Sequence, residues 1–416
     1  LTGTGTHTEI TRADARLMIF NGRRGWQAGT LVPALLVMFC LIWIYVSYVE
    51  MVAEGNLALN IDFRVFWAAS KLAYSGSVMS TLDVEQLASV HQVSEEKWMP
   101  WIYPPGFLIV LTPLGALNFS TAWLVFTLVS LAASLIAIRP FSGGLVPVWL
   151  GFGLAPALLP NLTTGQTSVL WTAGLVGALA LLRDNRQVLA GILIGLLTLK
   201  PQLGLLIPIA LIASGAWRTF FSAAATTILI SVLSTMMSGI DYWYRLKALL
   251  DQQVVFVRAA IDENDLMISG YSVFAGIGLP EPLALGLQWC LALMAAFAVF
   301  VAWRSPKIGF DLRAATLLLG IAMSTPYLWF YEATLIAPAG LFLLRAGVLS
   351  ESSAGLILAG LMWLGITPAF VVMFFTEFDQ IGMRTAFAPL VSAAIVVCIV
   401  AITRRLRDPV PTANLT

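Results

Sequence analysis

Apolar runs dominate the chain, falling at about 30 to 49, 104 to 117, 119 to 138, 145 to 159, 166 to 182, 188 to 199, 203 to 214, 216 to 239, 282 to 303, 310 to 326, 329 to 345, 354 to 376 and 385 to 403. A helix needs about 20 apolar residues to cross a bilayer. The pattern therefore predicts an all-α polytopic membrane protein of about twelve spans. One transmembrane domain over 28–403 is flanked by polar tails at 1–27 and 404–416.

Arg12, Arg16, Arg23 and Arg24 precede the first run, and Arg404, Arg405 and Arg407 follow the last. The positive-inside rule puts both termini in the cytoplasm. The first run is long and has no small-residue cleavage site after it, so it reads as a retained span. Alternation backwards from the C-terminus places Arg183, Arg186, Arg218, Arg304, Lys307 and Arg345 inside, and residues 160–166, 200–202, 240–281, 326–331 and 377–384 outside. The loop 50–103 is also outside, yet three apolar segments separate it from 160–166. One of them must enter and leave on the same face. The segment 104–117 is the choice, because Pro104, Pro105 and Pro113 interrupt a short run.

Two outer loops are long, about 50–103 and 240–281. In the first, Phe63, Phe66, Trp67, Leu72 and Tyr74 alternate with Arg64, Ser70 and Lys71 at helical spacing, as in a helix lying in the membrane interface. A second, more acidic helix is expected at 83–97.

Composition narrows the function. Of 416 residues 59% are apolar and 11% charged, against roughly a quarter charged in a soluble domain. A net charge of +1 gives no reason to expect a nucleic-acid partner. His7 and His91 are the two histidines, and Cys40, Cys290 and Cys398 lie in apolar runs. No Cys/His/Asp set has metal-ligand spacing, and no Ser-His-Asp or Cys-His triad can be assembled. A glycine-rich phosphate loop after a strand is also missing from the sequence. No cofactor or metal is required on this reading, and a carboxylate-held divalent ion stays open as an alternative.

Candidate chemistry sits at the outer junctions, where charged groups beside a bilayer need a reason. Asp62 opens the interfacial helix, where a shielded carboxylate suits a general base on an alcohol; the alternative is an ion pair with Arg64 or Lys71. Tyr103, Pro104, Pro105 and Gly106 can form the floor of a ligand site, or a simple helix start. Asn161, Thr163, Thr164, Gln166 and Thr167 form a polar loop able to hold a sugar or an anion, or merely a capped turn. Lys200, beside Gln202, needs an anion such as a phosphate, or must snorkel to water. Tyr327 and Tyr331 share a helix face if the turn between them continues helically. Glu332 then places a carboxylate just inside the membrane edge, where it needs a partner.

Taken in order, the stretches DFRVFWAASKLAYSG at 62–76, YPPGFLIVLTPLGAL at 103–117, NLTTGQ at 161–166, AGILIGLLTLKPQLGLLIPIAL at 190–211, SVFAGIGLP at 272–280 and TPYLWFYEATLIAPA at 325–339 resemble glycosyltransferase family 87, integral membrane enzymes of the GT-C class. The resemblance runs from about 58 to 345. It implies transfer of a sugar, mannose or another hexose, from a polyprenyl phosphate carrier, with inversion, to an acceptor hydroxyl of a glycolipid or cell-envelope molecule. It also implies an active site on the outer face of a bacterial inner membrane. Asp62 matches the family's catalytic base, with Arg64, Tyr103, Asn161, Gln166, Lys200, Gln202, Tyr327, Tyr331 and Glu332 as substrate contacts. Tyr331-Glu332 stands where many relatives have Tyr-Asp. The alternatives are a twelve-span transporter or lipid flippase, or a non-catalytic scaffold subunit. Transporters usually show paired halves with mid-membrane charges, a pattern not visible here.

Overall fold

The computed structural model describes residues 17, 35, 38–39, 41–50, 52–53, 62–92, 99–263, 266–375 and 382–408, with backbone alone for 254–263 and 373–375. The N-terminal tail apart from Leu17, most of the first half of the first apolar run, Cys40, residues 93–97 of the acidic helix, most of the expected loop 377–384 and the end of the C-terminal tail lie outside the described residues.

Among the described residues the chain is helical throughout, with one isolated antiparallel bridge between Met267 and Trp329. Five helical stretches are long and apolar enough to cross a membrane: Phe119–Phe141, Val146–Thr164, Trp217–Ser238, Glu281–Arg304 and Met383–Arg407. The expected count was about twelve. Several other apolar runs are shorter helices, Leu41–Glu50, Pro105–Ala116, Ser168–Arg183, Gln187–Leu199 and Ser353–Leu364. Prolines and tight turns account for some of the breaks: a 3-10 turn at Pro201–Leu203 separates two helices of the 188–214 region, and another at Thr112–Ala116 ends Pro105–Leu111.

Burial sorts the helices into inner and outer. Every residue of Ile336–Arg345 is buried, so this helix is the axis of the larger core. Trp217–Ser238 instead exposes Phe221, Ile228, Val232 and Met236, and Glu281–Arg304 exposes Trp289, Leu293 and Phe297. At about 1.5 Å per residue these helices match the thickness of a hydrocarbon layer, and their outward apolar side chains are what lipid would cover. The chain is thus built as an integral membrane protein. Gln187–Leu196 meets Trp217–Ser238 through Gly191 and Gly195, where a Cβ would come within 2.5 Å of Ser222 and Thr226 respectively. Small residues here let two backbones approach closely.

Two clusters of polar groups mark the two ends of Ser168–Arg183. In one, Arg345 donates to Asp311 at 2.9 Å and to the Phe141 carbonyl at 2.8 Å, while the Arg183 guanidinium lies 4.5 Å from the Phe141 ring centroid. Lys307 donates to the carbonyls of Leu406 and Asp408. Ser168–Arg183 runs from this basic cluster, at Arg183, to the second cluster, at Ser168.

The helix expected at 63–74 is present as Phe63–Tyr74, but it is not a surface helix. Nine of its twelve residues are buried, Arg64 and Ser70 among them. Phe63 packs on Phe119 and Phe126, and Phe66 on Trp101, Tyr103 and Phe107. Gly115 admits the helix on a further side, since a Cβ there would lie 2.3 Å from the Ser70 carbonyl oxygen. Long-range aromatic partners, invisible to local periodicity, draw it into the protein. The acidic helix is found as Val84–His91, N-capped by Asp83.

Candidate functional site

Asp62 stands at the N-cap position of Phe63–Tyr74 yet makes no side-chain cap. Its Oδ2 instead accepts from Gln166 Nε2 at 2.8 Å. Gly165 makes this meeting possible. It ends the short helix Leu159–Thr164 in the left-handed region, at φ 67°, and a Cβ on it would lie 2.5 Å from the Phe63 Cβ. The Gln166 backbone N–H then closes the turn onto the Asn161 carbonyl at 3.2 Å.

The same turn starts the helix that supports Lys200. Lys200 Nζ donates to Ser168 Oγ at 3.0 Å and to Glu332 Oε1 at 2.9 Å, and lies 4.9 Å from the Tyr331 ring centroid. The Lys200 and Glu332 side chains are 5% and 1% exposed, a buried ion pair. Glu332 Oε2 also accepts the Trp329 amide at 2.9 Å. Trp329 is held in turn by the bridge to Met267, with Ile268 N–H on the Leu328 carbonyl and Phe330 N–H on the Leu266 carbonyl. The 240–281 region thereby braces the turn that carries Glu332.

Burial raises the Asp62 carboxyl above its ordinary range, opposed by the Gln166 hydrogen bond and then by the positive charge of Lys200. Burial also raises the Tyr103 hydroxyl, with the negative charges of Asp62 and Glu332 adding to the shift. Tyr103 therefore remains a neutral donor and acceptor, 3.5 Å from Gln166 Oε1. If Asp62 must be ionised to work, the acid limb of kcat/KM lies above the ordinary carboxylate range. Gln166→Leu removes a bond that favours the charged form, so it is expected to move that limb to still higher pH. A kcat/KM profile for both proteins checks the sign.

The structure brings together Asp62, Tyr103, Gln166, Lys200, Tyr331 and Glu332. Three other expected contacts are engaged elsewhere. Arg64 donates to the His91 carbonyl at 2.9 Å. Gln202 has an exposed side chain, and its carbonyl accepts from Thr325 Oγ1 at 3.1 Å. Tyr327 packs on Tyr271, with ring centroids 6.3 Å apart. The helical turn supposed to align Tyr327 with Tyr331 does not form, because the chain bends at 326–327 and restarts as a 3-10 helix at Phe330–Leu335. Thr163 and Thr164 spend their hydroxyls on carbonyls of their own turn, while Asn161 is buried with its side-chain amide unpartnered.

Sequence reasoning missed Ser168, although it directly follows the polar stretch. It also missed the support of Tyr103: Trp101 Nε1 donates to Tyr242 Oη at 2.6 Å, and Tyr242 Oη donates to the Tyr103 carbonyl at 3.1 Å. Tyr242 lies 139 positions away, and nothing local marks it. Among the described residues no three His, Cys, Asp or Glu side chains gather as a metal site.

The described residues thus form a helical membrane protein in which a desolvated carboxylate lies within the electrostatic reach of a buried, paired cation. Comparison with known proteins makes the class specific: the profile of glycosyltransferase family 87 matches residues 101–326, more than half of the chain, and the chain belongs to that family. Two curated relatives, each named alpha-(1->3)-arabinofuranosyltransferase and coming from Mycobacterium tuberculosis strains CDC 1551 / Oshkosh and ATCC 25618 / H37Rv, are 26% identical to it over 243 residues. The alignment covers 54% of this chain and 53% of each relative, so the chain spans about half the length of the relatives it matches. No solved structure matches it. The family match contains Tyr103, Asn161, Gln166, Lys200 and Gln202 but stops short of Asp62 on one side and of Tyr327, Tyr331 and Glu332 on the other. Asp62 and Glu332 join the matched region through their bonds to Gln166 and Lys200.

Proposed function

We propose that this protein transfers a sugar from a polyprenyl phosphate carrier to a hydroxyl of a glycolipid or other cell-envelope acceptor, with Asp62 as general base and inversion at the anomeric carbon. The observation that carries the reading is the Asp62 carboxylate, oriented by Gln166 at 2.8 Å and within the electrostatic reach of Lys200.

In the proposed step Asp62 takes the acceptor hydroxyl proton as the acceptor oxygen bonds to the anomeric carbon. The bond from that carbon to the phosphate oxygen breaks, and polyprenyl phosphate leaves with the electron pair. Lys200 faces the developing phosphate charge, supported by Ser168. One base and one cation suffice for direct displacement, and the lipid-facing helices offer the apolar tail a route from the bilayer. The resemblance implies a mannosyl or other hexosyl donor, whereas the curated relatives carry an arabinofuranosyl name.

The test is consumption of radiolabelled donor by purified protein in vesicles, with mannose-charged and arabinofuranose-charged polyprenyl phosphates supplied separately beside a membrane glycolipid extract. Label is expected to move to the acceptor from one carrier-linked donor. A solute crossing the vesicle wall while neither donor is consumed would favour a transporter instead.

A further inference from the structure

Asn161 is 1% exposed, and neither its Nδ2 nor its Oδ1 has a hydrogen-bond partner. A buried carboxamide with both ends unmet is costly, and native proteins seldom keep one without use. The main chain around it is satisfied: the Asn161 carbonyl accepts from the Gln166 amide at 3.2 Å and from Thr164 Oγ1 at 3.1 Å. The side-chain amide alone is spare.

Its position is specific. The Leu159–Thr164 helix packs against the Phe330–Leu335 turn, which carries Tyr331 and Glu332, and against the start of Ser168–Arg183, where Ser168 meets Lys200. Just past the helix end, the Gln166 amide closes the turn onto the Asn161 carbonyl, and Gln166 is the partner of Asp62. Asn161 therefore sits on the short helix that spans the interval between the base's partner and the elements holding the cation. In the transfer reading, on which this inference rests, that interval holds the sugar in flight, bonded to phosphate on one side and open to attack on the other.

We infer that Asn161 reads a vicinal diol of the transferred sugar, with Nδ2 donating to one ring hydroxyl and Oδ1 accepting from its neighbour. A primary amide presents a donor and an acceptor side by side on one planar edge. Adjacent hydroxyls on a furanose or a pyranose present the complement. A site built to bond a hydroxyl rejects the analogue that lacks it, because its own buried groups are then left unmet.

The test compares wild type with Asn161→Leu, a near-isosteric apolar replacement, and with Asn161→Ala as a second variant should the leucine not fit. Without sugar, Asn161→Leu is expected to unfold at a higher temperature than wild type, since an unmet buried amide is gone. With lipid-linked donors, wild type is expected to lose about 10²-fold or more in kcat/KM when either hydroxyl of the diol is removed. The variants lose a similar factor on the intact donor and then no longer distinguish it from the deoxy donors. Wild-type kcat/KM on the intact donor, or undiminished discrimination, overturns the inference while leaving the transfer reading in place. The same loss of discrimination on deoxy acceptors rather than deoxy donors overturns the assignment to the transferred sugar. A lower unfolding temperature with unchanged kinetics shows an internal water partner and also overturns it. If wild type turns over no lipid-linked donor, the transfer reading has failed, and methyl glycosides then decide: protection from thermal unfolding in wild type but not in Asn161→Leu sustains the diol contact, and equal or no protection ends it.

Discussion

Asp62→Asn is expected to lower transfer by about 10²- to 10⁴-fold while the protein still folds and still binds donor. The amide has the size of the carboxylate, and its oxygen can still accept from Gln166, so the geometry at 2.8 Å can survive. What is lost is the capacity to take the acceptor proton. The effect on stability has a definite sign. Burial raises the native carboxyl above its ordinary value, so the folded state binds the proton more tightly than the unfolded chain. The stabilisation from that proton is complete below the ordinary carboxylate range and is lost as pH rises through the raised native value. Above that raised value the ionised Asp62 costs stability, and there the asparagine variant should unfold at the same temperature as wild type or higher. Thermal unfolding and single-turnover transfer measured on one preparation separate the two effects. A wild-type rate would remove Asp62 from the chemistry.

Lys200→Met is expected to be the most destabilising single change in the site. It strands Glu332, 1% exposed, without its cation, and breaking a buried pair on one side costs about 3–5 kcal/mol. Replacing both partners avoids the stranded charge, so Lys200→Met with Glu332→Leu should recover most of that loss in a denaturant titration. Transfer should not recover, because the double variant still lacks a cation for the leaving phosphate. A double variant that folds and turns over normally would make Lys200–Glu332 a structural pair only. If instead the single variant is as stable as wild type, the pair is not closed in the working protein.

The helical membrane class was legible from composition and apolar run length, and so were the polar stretches that meet in the site. Asp62, Gln166, Lys200 and Glu332 were each conspicuous as a polar residue that needed a reason beside lipid. Their pairing was not legible. Gln166 and Asp62 are 104 positions apart, and Lys200 and Glu332 are 132 apart, so no local spacing encodes either contact. Gly165 was the nearest available clue, because a left-handed helix end sets where Gln166 goes, but its approach to Phe63 is a tertiary fact. The lengths of the individual helices were less legible, for a related reason. The runs 188–199 and 203–214 meet at Lys200, Pro201 and Gln202, and the 3-10 turns at Leu197–Leu199 and Pro201–Leu203 that shorten their helices follow from Pro201 and local packing, which hydropathy does not sense. The helix at 63–74 is more deeply buried than its spacing alone implies. Its amphipathic spacing was real, yet Phe66 and Trp67 found aromatic and carbonyl partners within the protein.

The account rests on a lipid-linked sugar phosphate lying between Lys200 and Asp62. A density map of the purified protein with a bound polyprenyl phosphate sugar in non-hydrolysable form tests it most directly. The phosphate is expected within hydrogen-bond distance of Lys200 Nζ, with the Asp62 carboxylate on the face of the anomeric carbon opposite the phosphate. A phosphate seated away from Lys200, or an Asp62 side chain turned from the sugar, would contradict it.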